Sequence, residues 1–220
     1  MSTVLQPLPD QSLADAVADH LREAINGGVY GPGERLVERT LSAQLGVSHI
    51  PVREALTRLE EEGLVVRLPR RGARVARLSP ESLAEISSLR VLLEGFVVRR
   101  VLERWTPAVE RELQRLVDRM IAAARRGDVS TVLQLDQRFH QRLWRQADHS
   151  ILLEVSAHMR GRINRFLRAA TQALAPADLV AHAESHQKLL EVIAAGDADA
   201  AADAMRNHIE IAADRIEAGG

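Results

Sequence analysis

The chain has 220 residues, 46% of them hydrophobic and 3% aromatic, with no cysteine and a formal net charge of −1. The cysteine count excludes disulfides and thiolate metal sites and fits a reducing compartment. The apolar load is mostly Leu, Val, Ala and Ile, enough for a sizeable core and suited to helices packed on helices. No run approaches the roughly 18 uncharged residues of a membrane span. The N-terminus lacks the basic start and apolar run of a secretion signal, so a cytoplasmic protein with no membrane contact is expected.

After a tail at 1–11, the spacing of Leu13, Val17, Leu21 and Ile25 predicts a helix over 13–26, capped by Ser12 and ended by Gly27-Gly28. Pro32-Gly33 reads as a turn. A short helix over 38–45 stops at Gly46, and Ser48 is placed to cap a third over 51–62, with Pro51 in its first turn. Residues 64–68 and 73–77 read as strands joined by Pro69-Arg70-Arg71-Gly72. Leu78-Ser79-Pro80 is a boundary, and everything beyond reads helical. Helices are expected over 79–104, from Thr106-Pro107 to Gly127, from Asp128 to 146, and from a Ser150 cap to 170. Two more follow, from Pro176 to 195 and from Gly196-Asp197 to about 217. The fold class is mainly α: an N-terminal winged helix-turn-helix with a small β-hairpin wing over 12–77, a linker at 78–80, and an all-α bundle of about six helices over 81–217.

Two short helices around Gly46-Val47 followed by an arginine-rich hairpin form a device for placing one helix in the DNA major groove. Arg67, Arg70, Arg71, Arg74 and Arg77 fall in eleven residues without an acid, a local basic patch that the near-zero net charge conceals. In such a module Ser48, His49, Ile50 and Arg53 lie at the groove end of the third helix, and Val52, Leu56 and Leu59 face its own core. Arg39 is placed to grip the backbone. Gly72, with Arg71 beside it, lets the wing approach the minor groove. Two amphipathic helices on a glycine turn are the structural alternative.

Residues 12–77 resemble the winged-helix domain of the GntR family of bacterial transcription regulators. The resemblance is carried by Pro32-Gly33-Glu34-Arg35-Leu36, Glu38-Arg39, Leu45-Gly46-Val47-Ser48, Pro51-Val52-Arg53-Glu54-Ala55-Leu56, Leu59, Glu62-Gly63-Leu64 and Gly72. It implies a double-stranded operator of two-fold symmetry, a homodimer, and a DNA-facing set of Arg39, Ser48, His49, Ile50, Pro51, Arg53, Arg71 and Gly72. Where the family usually has Arg-Thr this chain has His49-Ile50. Histidine is shorter and mostly neutral at pH 7, which predicts an altered base preference there.

Asp136 and His140 are i and i+4 on one helix, while His186 and His208 lie on the last two, each within an apolar stretch. A buried carboxylate and three imidazoles need partners. Spacing alone leaves two readings open: hydrogen bonds within the core, or one carboxylate oxygen and three nitrogens around zinc, with nickel, manganese or iron as alternatives. His182, four residues before His186, competes as a ligand on pattern.

Residues 79–215 resemble the FCD ligand-binding domain of the FadR subfamily. The carrying residues are Leu89-Arg90, Leu93-Glu94, Asp136, Phe139-His140, His186, Ile193, Gly196-Asp197, Ala201, Met205 and His208-Ile209. Members with this Asp and three His bind a divalent metal, so the resemblance implies Asp136, His140, His186 and His208 as ligands, with His186 and not His182 at the matching position. It also implies a small carboxylic acid at the metal, and Arg90, Asn164 and Arg160 are the candidate effector-binding residues. The bland account of Arg90 is an exposed i, i+4 pair with Glu94.

The expected function is a DNA-binding regulator, a repressor, whose operator affinity responds to that acid. A metal-sensing regulator is the alternative. A metal-dependent hydrolase is the rival from another class, but no carboxylate lies in a general-base motif such as H-E-x-x-H. The reading is therefore not an enzyme.

Overall fold

The computed structural model describes residues 12–68, 72–175 and 178–218. Two compact units divide the chain, Met1–Arg77 and Leu78–Gly220.

The first unit holds helices α1 (Leu13–Gly27), α2 (Glu38–Leu45) and α3 (His49–Glu61) and strands β1 (Arg35–Leu36), β2 (Val65–Leu68) and β3 (Gly72–Val75). Ser12 accepts from the Asp15 N–H while the Asp15 carboxylate accepts from the Ser12 N–H, a reciprocal cap of the kind that contributes about 1 kcal/mol. Helical spacing carries Val17, Leu21 and Ile25 of α1 onto Leu41 of α2 and Val52, Leu56 and Leu59 of α3. Burying each such side chain favours the fold by about 1.5–3 kcal/mol. Gly46 sits at φ 65 and returns its N–H to the Ser42 carbonyl, so α2 stops and α3 starts three residues later, at His49.

Three details differ from expectation. The third helix begins at His49, not Pro51; Ser48 has the extended backbone of a cap, but its hydroxyl makes no capping hydrogen bond. Pro51 stays inside the first turn because its missing N–H is one that a helix start leaves unpaired anyway. Strand β1 was not expected, since two residues carry no periodicity. It forms on the free edge of β3, with Arg35 opposite Arg74 and Leu36 opposite Ala73, giving the order β1-β3-β2. Finally, β3 ends at Val75. The Ala76 N–H still donates to the Leu64 carbonyl at 2.9 Å, but Arg77 lies beyond the ladder.

The second unit contains α4 (Pro80–Leu102), α5 (Pro107–Arg125), α6 (Val129–Gln146), α7 (Ser150–Gln172), α8 (Leu179–Ala194) and α9 (Ala198–Ala218). Ser79, Thr106 and Asp128 cap α4, α5 and α6 through their side chains. The cap of α7 is His149, whose Nδ1 accepts from the Leu152 N–H, rather than Ser150, which is already helical; α7 also runs two residues past Ala170. The helix expected from Pro176 starts at Leu179, and Pro176 lies outside the described residues. Helix α4 packs chiefly on α9, and α5 packs between α6 and α8. Val97, Val101, Leu113, Val117, Met120, Phe139, Phe166, Ile193, Met205 and Ile209 fill the centre.

Almost every buried polar side chain of this unit sits in one place. Arg90, Glu94, Asp136, His140, Asn164, Thr171, His182 and His186 are the set, and six of the eight converge on a single cluster inside the bundle. The cluster lies where α4, α6 and α8 meet, and the other two, Asn164 and Thr171, are on α7.

Candidate functional site

Asp136 and His140 lie one turn apart on α6 and are both buried, as helical spacing requires. His182 and His186 repeat that relation on α8. From α9 comes His208, half-buried, its ring centroid 4.5 Å from that of His186 and 5.6 Å from that of His140. Asp136 Oδ1 is 3.3 Å from Nε2 of His140 and 3.3 Å from Nε2 of His186, while Oδ2 is 3.5 Å from Nε2 of His182. Ligand atoms of His140, His186 and His208 all lie within 4.8 Å of one another, and so do those of Asp136, His182 and His186.

Each of the three expected histidine ligands has its other nitrogen engaged. His140 Nδ1 lies 2.7 Å from Glu94 Oε2, and that carboxylate is ionised. Burial opposes the charge on Glu94, but Arg90 and His140 outweigh it and hold its pKa near about 2. His186 Nδ1 donates to the His182 carbonyl at 3.1 Å. Ser185 Oγ donates to the same carbonyl at 2.7 Å, so at 3.4 Å from His208 Nδ1 it is left to accept. In His186 and His208 the hydrogen is thereby assigned to Nδ1 and the lone pair to Nε2, and in His140 Nδ1 carries a hydrogen.

That assignment creates a conflict in the absence of a cation. Asp136 is held well below the usual carboxylate range: burial pushes it upward, but the imidazoles of His140, His182 and His186 around it prevail. The Nε2 lone pair of His186 therefore faces a carboxylate oxygen, two acceptors 3.3 Å apart. A second proton on His186 is disfavoured, because burial lowers its pKa more than Asp136 raises it. His208 is lowered too, by burial and then by the neighbouring charges on His186 and His140. His140 goes the other way, raised to about 9, because Glu94 and Asp136 together overcome burial. Even so, Nε2 of His140 and of His182 lack a hydrogen-bond partner while buried. An ionised carboxylate with several imidazole nitrogens converging beside it forms a donor set that a divalent cation satisfies, displacing the extra proton of His140.

Arg90 is not the exposed i, i+4 residue of the bland account. Its Nε donates to Glu94 Oε1 at 2.7 Å, both side chains are only 1% exposed, and its guanidinium lies 4.6 Å from the Phe166 ring centroid. Arg90 thus secures the carboxylate that orients His140, with Nη2 still unpartnered. A cavity of about 270 Å³ opens beside His140 between α6 and α7. Asn164 and Arg160 line it; Arg90 does not. A second cavity, about 210 Å³, touches His182, Ser185 and His208 from the α8–α9 side. Sequence reading missed the roles of Glu94 and Ser185. The available signal for Glu94 was a charged residue one turn after Arg90 on an otherwise apolar face.

In the first unit Arg39, Ser48, His49, Ile50 and Arg53 are all exposed around the start of α3. Ile50 is 70% exposed, an apolar side chain without a core to serve. His49 Nδ1 lies 3.1 Å from Ser42 Oγ, tying the reading end of α3 to α2. Arg53 pairs with Glu38 at 3.2 Å, and Arg67 Nη2 donates to the Arg53 carbonyl at 2.6 Å. Pro51 is buried and turned inward, which corrects its place in the DNA-facing set: a ring packed on the helix-turn-helix core cannot meet a base edge. Gly72 is exposed at φ 79 where the wing hairpin closes; Arg71 lies outside the described residues. The N-terminus of α3 also adds a partial positive charge beside these side chains.

This is the surface and interior of a DNA-binding regulator, and comparison with known proteins agrees. Residues 13–75 match the family of bacterial regulatory proteins named gntR, and residues 85–211 match the FCD domain. The chain belongs to the GntR family of transcriptional regulators and carries an FCD domain. It is 31% identical over 186 residues to the HTH-type transcriptional regulator McbR of Escherichia coli (strain K12), covering 84% of each chain. It is 32% identical over 151 residues to the gluconate operon transcriptional repressor of Bacillus subtilis (strain 168), covering 69% of this chain and 62% of that one. The solved structure of E. coli McbR/YncC superimposes with a TM-score of 0.81 at 27% identity, over 94% of this chain and 98% of that one. These relatives are regulators rather than enzymes. Among the described residues no helix is long and apolar enough to cross a membrane.

Proposed function

We propose that the chain is a cytoplasmic repressor that binds a two-fold operator as a homodimer. Its operator affinity is set by a small organic acid, bound at a divalent metal ion held by Asp136, His140, His186 and His208. Zinc is the first choice, with nickel, manganese or iron compatible with the same donors. The observation that carries this reading is the convergence of ring nitrogens of His140, His186 and His208, within 4.8 Å of one another, beside the buried, ionised Asp136. When bound, the ion would supply open coordination positions for a carboxylate oxygen. Glu94, the His182 carbonyl and Ser185 keep the three imidazoles in the ligating tautomer, and Arg90 keeps Glu94 charged and in place. His182 holds the second oxygen of Asp136 and is a positioning residue.

The cavity beside His140 favours an organic acid over the metal alone as the signal. Repression is supported by the Bacillus subtilis relative, which is a transcriptional repressor of the gluconate operon. A homodimer is supported by Leu89, Leu92 and Phe96, at i, i+3 and i+7 on one face of α4 and 42%, 71% and 44% exposed. An acid changes operator affinity only if it binds more tightly to one of two states of the dimer.

The test is a titration of DNA affinity, with the operator obtained by selection from random duplexes. Metal alone is added first, then metal with simple carboxylic acids, to the wild type and to a His140→Ala, His208→Ala double variant. The wild type is expected to respond to metal plus acid and the variant to neither, with basal DNA binding retained. A response to metal with no acid would make the protein a metal sensor, and bound metal persisting in the variant would remove the proposed ligand set.

A further inference from the structure

The cavity beside His140 is lined by side chains of α6 and α7, none of them acidic. Two of them, Arg145 on α6 and Arg160 on α7, are exposed, and among the described residues neither side chain has a hydrogen bond or an ion pair. Elsewhere in the second unit several arginines have carboxylate partners: Arg90 with Glu94, Arg99 with Asp199, Arg100 with Glu103 and Arg142 with Glu112. Two free guanidiniums in one cavity repel each other and lack a protein counter-charge. A ligand anion supplies what they lack.

The distance along α6 separates that anion from the metal side. Five residues at about 1.5 Å each set Arg145 about 7.5 Å along the helix axis from His140. One carboxylate group is too small to meet both ends. The same cavity is lined by Trp144 and Ile163, both nearly buried, and by the buried Asn164 with its amide. Such a lining accommodates a short carbon chain and fixes it with one neutral polar contact.

We infer that the effector is an organic acid with two anionic groups, one beside His140 and the other paired with Arg145 and Arg160. This rests on the metal-site reading above for the first group only; the second is recognised by arginine. Arg145, which no sequence motif singled out, joins Arg160 as a determinant of effector choice.

The experiment is calorimetric binding of glutarate and valerate to the zinc-loaded full chain. The two acids share a carbon count and differ only in the second carboxylate. Glutarate is expected to bind about tenfold tighter or better, the scale of one desolvated arginine–carboxylate contact. Arg145→Gln and Arg160→Gln should each reduce the glutarate-to-valerate ratio, and together bring it close to one. Equal affinities in the wild type, a preference that survives both substitutions, or no binding of either acid overturns the inference. The same titrations on zinc-free protein separate the two claims. Valerate affinity indifferent to zinc counts against the metal reading, while the glutarate preference still reports on the arginines.

Discussion

The Glu94 carboxylate lies 2.7 Å from His140 Nδ1, joining α4 to the histidine cluster of α6, α8 and α9. Its other oxygen takes the Arg90 guanidinium, so one buried residue sets both the tautomer of a ligand and the neutrality of the core. Glu94→Gln is expected to weaken metal binding by about 10–100-fold, the usual effect of losing a carboxylate behind a ligating histidine. It also leaves Arg90 buried without a counter-ion, and a stability loss of about 3–5 kcal/mol follows. Competition with a chromophoric chelator reads the first quantity and urea unfolding the second. Unchanged metal affinity would detach Glu94 from the site.

The pKa pattern makes metal binding depend on pH in a defined window. His140 in the metal-free protein keeps its proton up to about 9, whereas an ion needs the neutral ring. His186 and His208 are lowered and add no proton at pH 7. The apparent metal association constant should rise about tenfold per pH unit from 7 to 8.5 and level off above 9. Linkage has the matching sign. His140 is raised above its ordinary 6.5, so its contribution to metal-free stability is complete below 6.5 and is lost as pH rises through about 9. Chelator competition across pH, and melting with and without zinc, measure the two. A flat metal affinity would mean that His140 loses no proton on binding.

At the DNA surface Arg53 is held by Glu38 in an exposed pair, which DNA phosphates or a guanine edge can displace at little cost. Arg53→Ala should weaken specific operator binding by about 1–3 kcal/mol. Glu38→Gln, which frees Arg53 and removes a negative charge facing the backbone, should tighten non-specific binding. His49→Arg should alter base preference at one operator position. Each is measured at fixed salt, since phosphate contacts make affinity salt-dependent. A His49→Arg variant with the wild-type preference would remove position 49 from the readers.

Leu92 is 71% exposed in the middle of the apolar face of α4. A glutamate there leaves the bundle core untouched but opposes burial against a second copy. Leu92→Glu is expected to convert a dimer to a monomer in sedimentation equilibrium, with unchanged helical circular dichroism and much weaker operator binding. A variant that still sediments as the wild type would move the dimer contact off this face.

Much of this was legible beforehand because helices announce themselves locally. Caps such as Ser12, Ser79 and Asp128, and apolar residues every third or fourth position, located most helix starts to within a residue or two. Asp136 and His140 share a face by spacing alone. What failed were features without a local signal. Two-residue β1 exists only because β3 offers an edge. Ser48 lacks a capping bond although its residue type suits one, and Pro51 is buried directly after the exposed Ile50. The burial of the Arg90–Glu94 pair had no local signal either, since a helix reveals its period but not what covers each face.

Sequence by itself determined two modules, a DNA-reading helix after Gly46 and a bundle with Asp136 and three histidines on its inner faces. The reason is that period, caps and turn residues act within a few positions. Only the tertiary structure decided that His182 also reaches Asp136, that Glu94 and Ser185 assign the ring hydrogens, and that Arg145 and Arg160 share a cavity without a carboxylate. Those relations join residues from different helices, and distance in space, not spacing along the chain, sets their charge and hydrogen bonding.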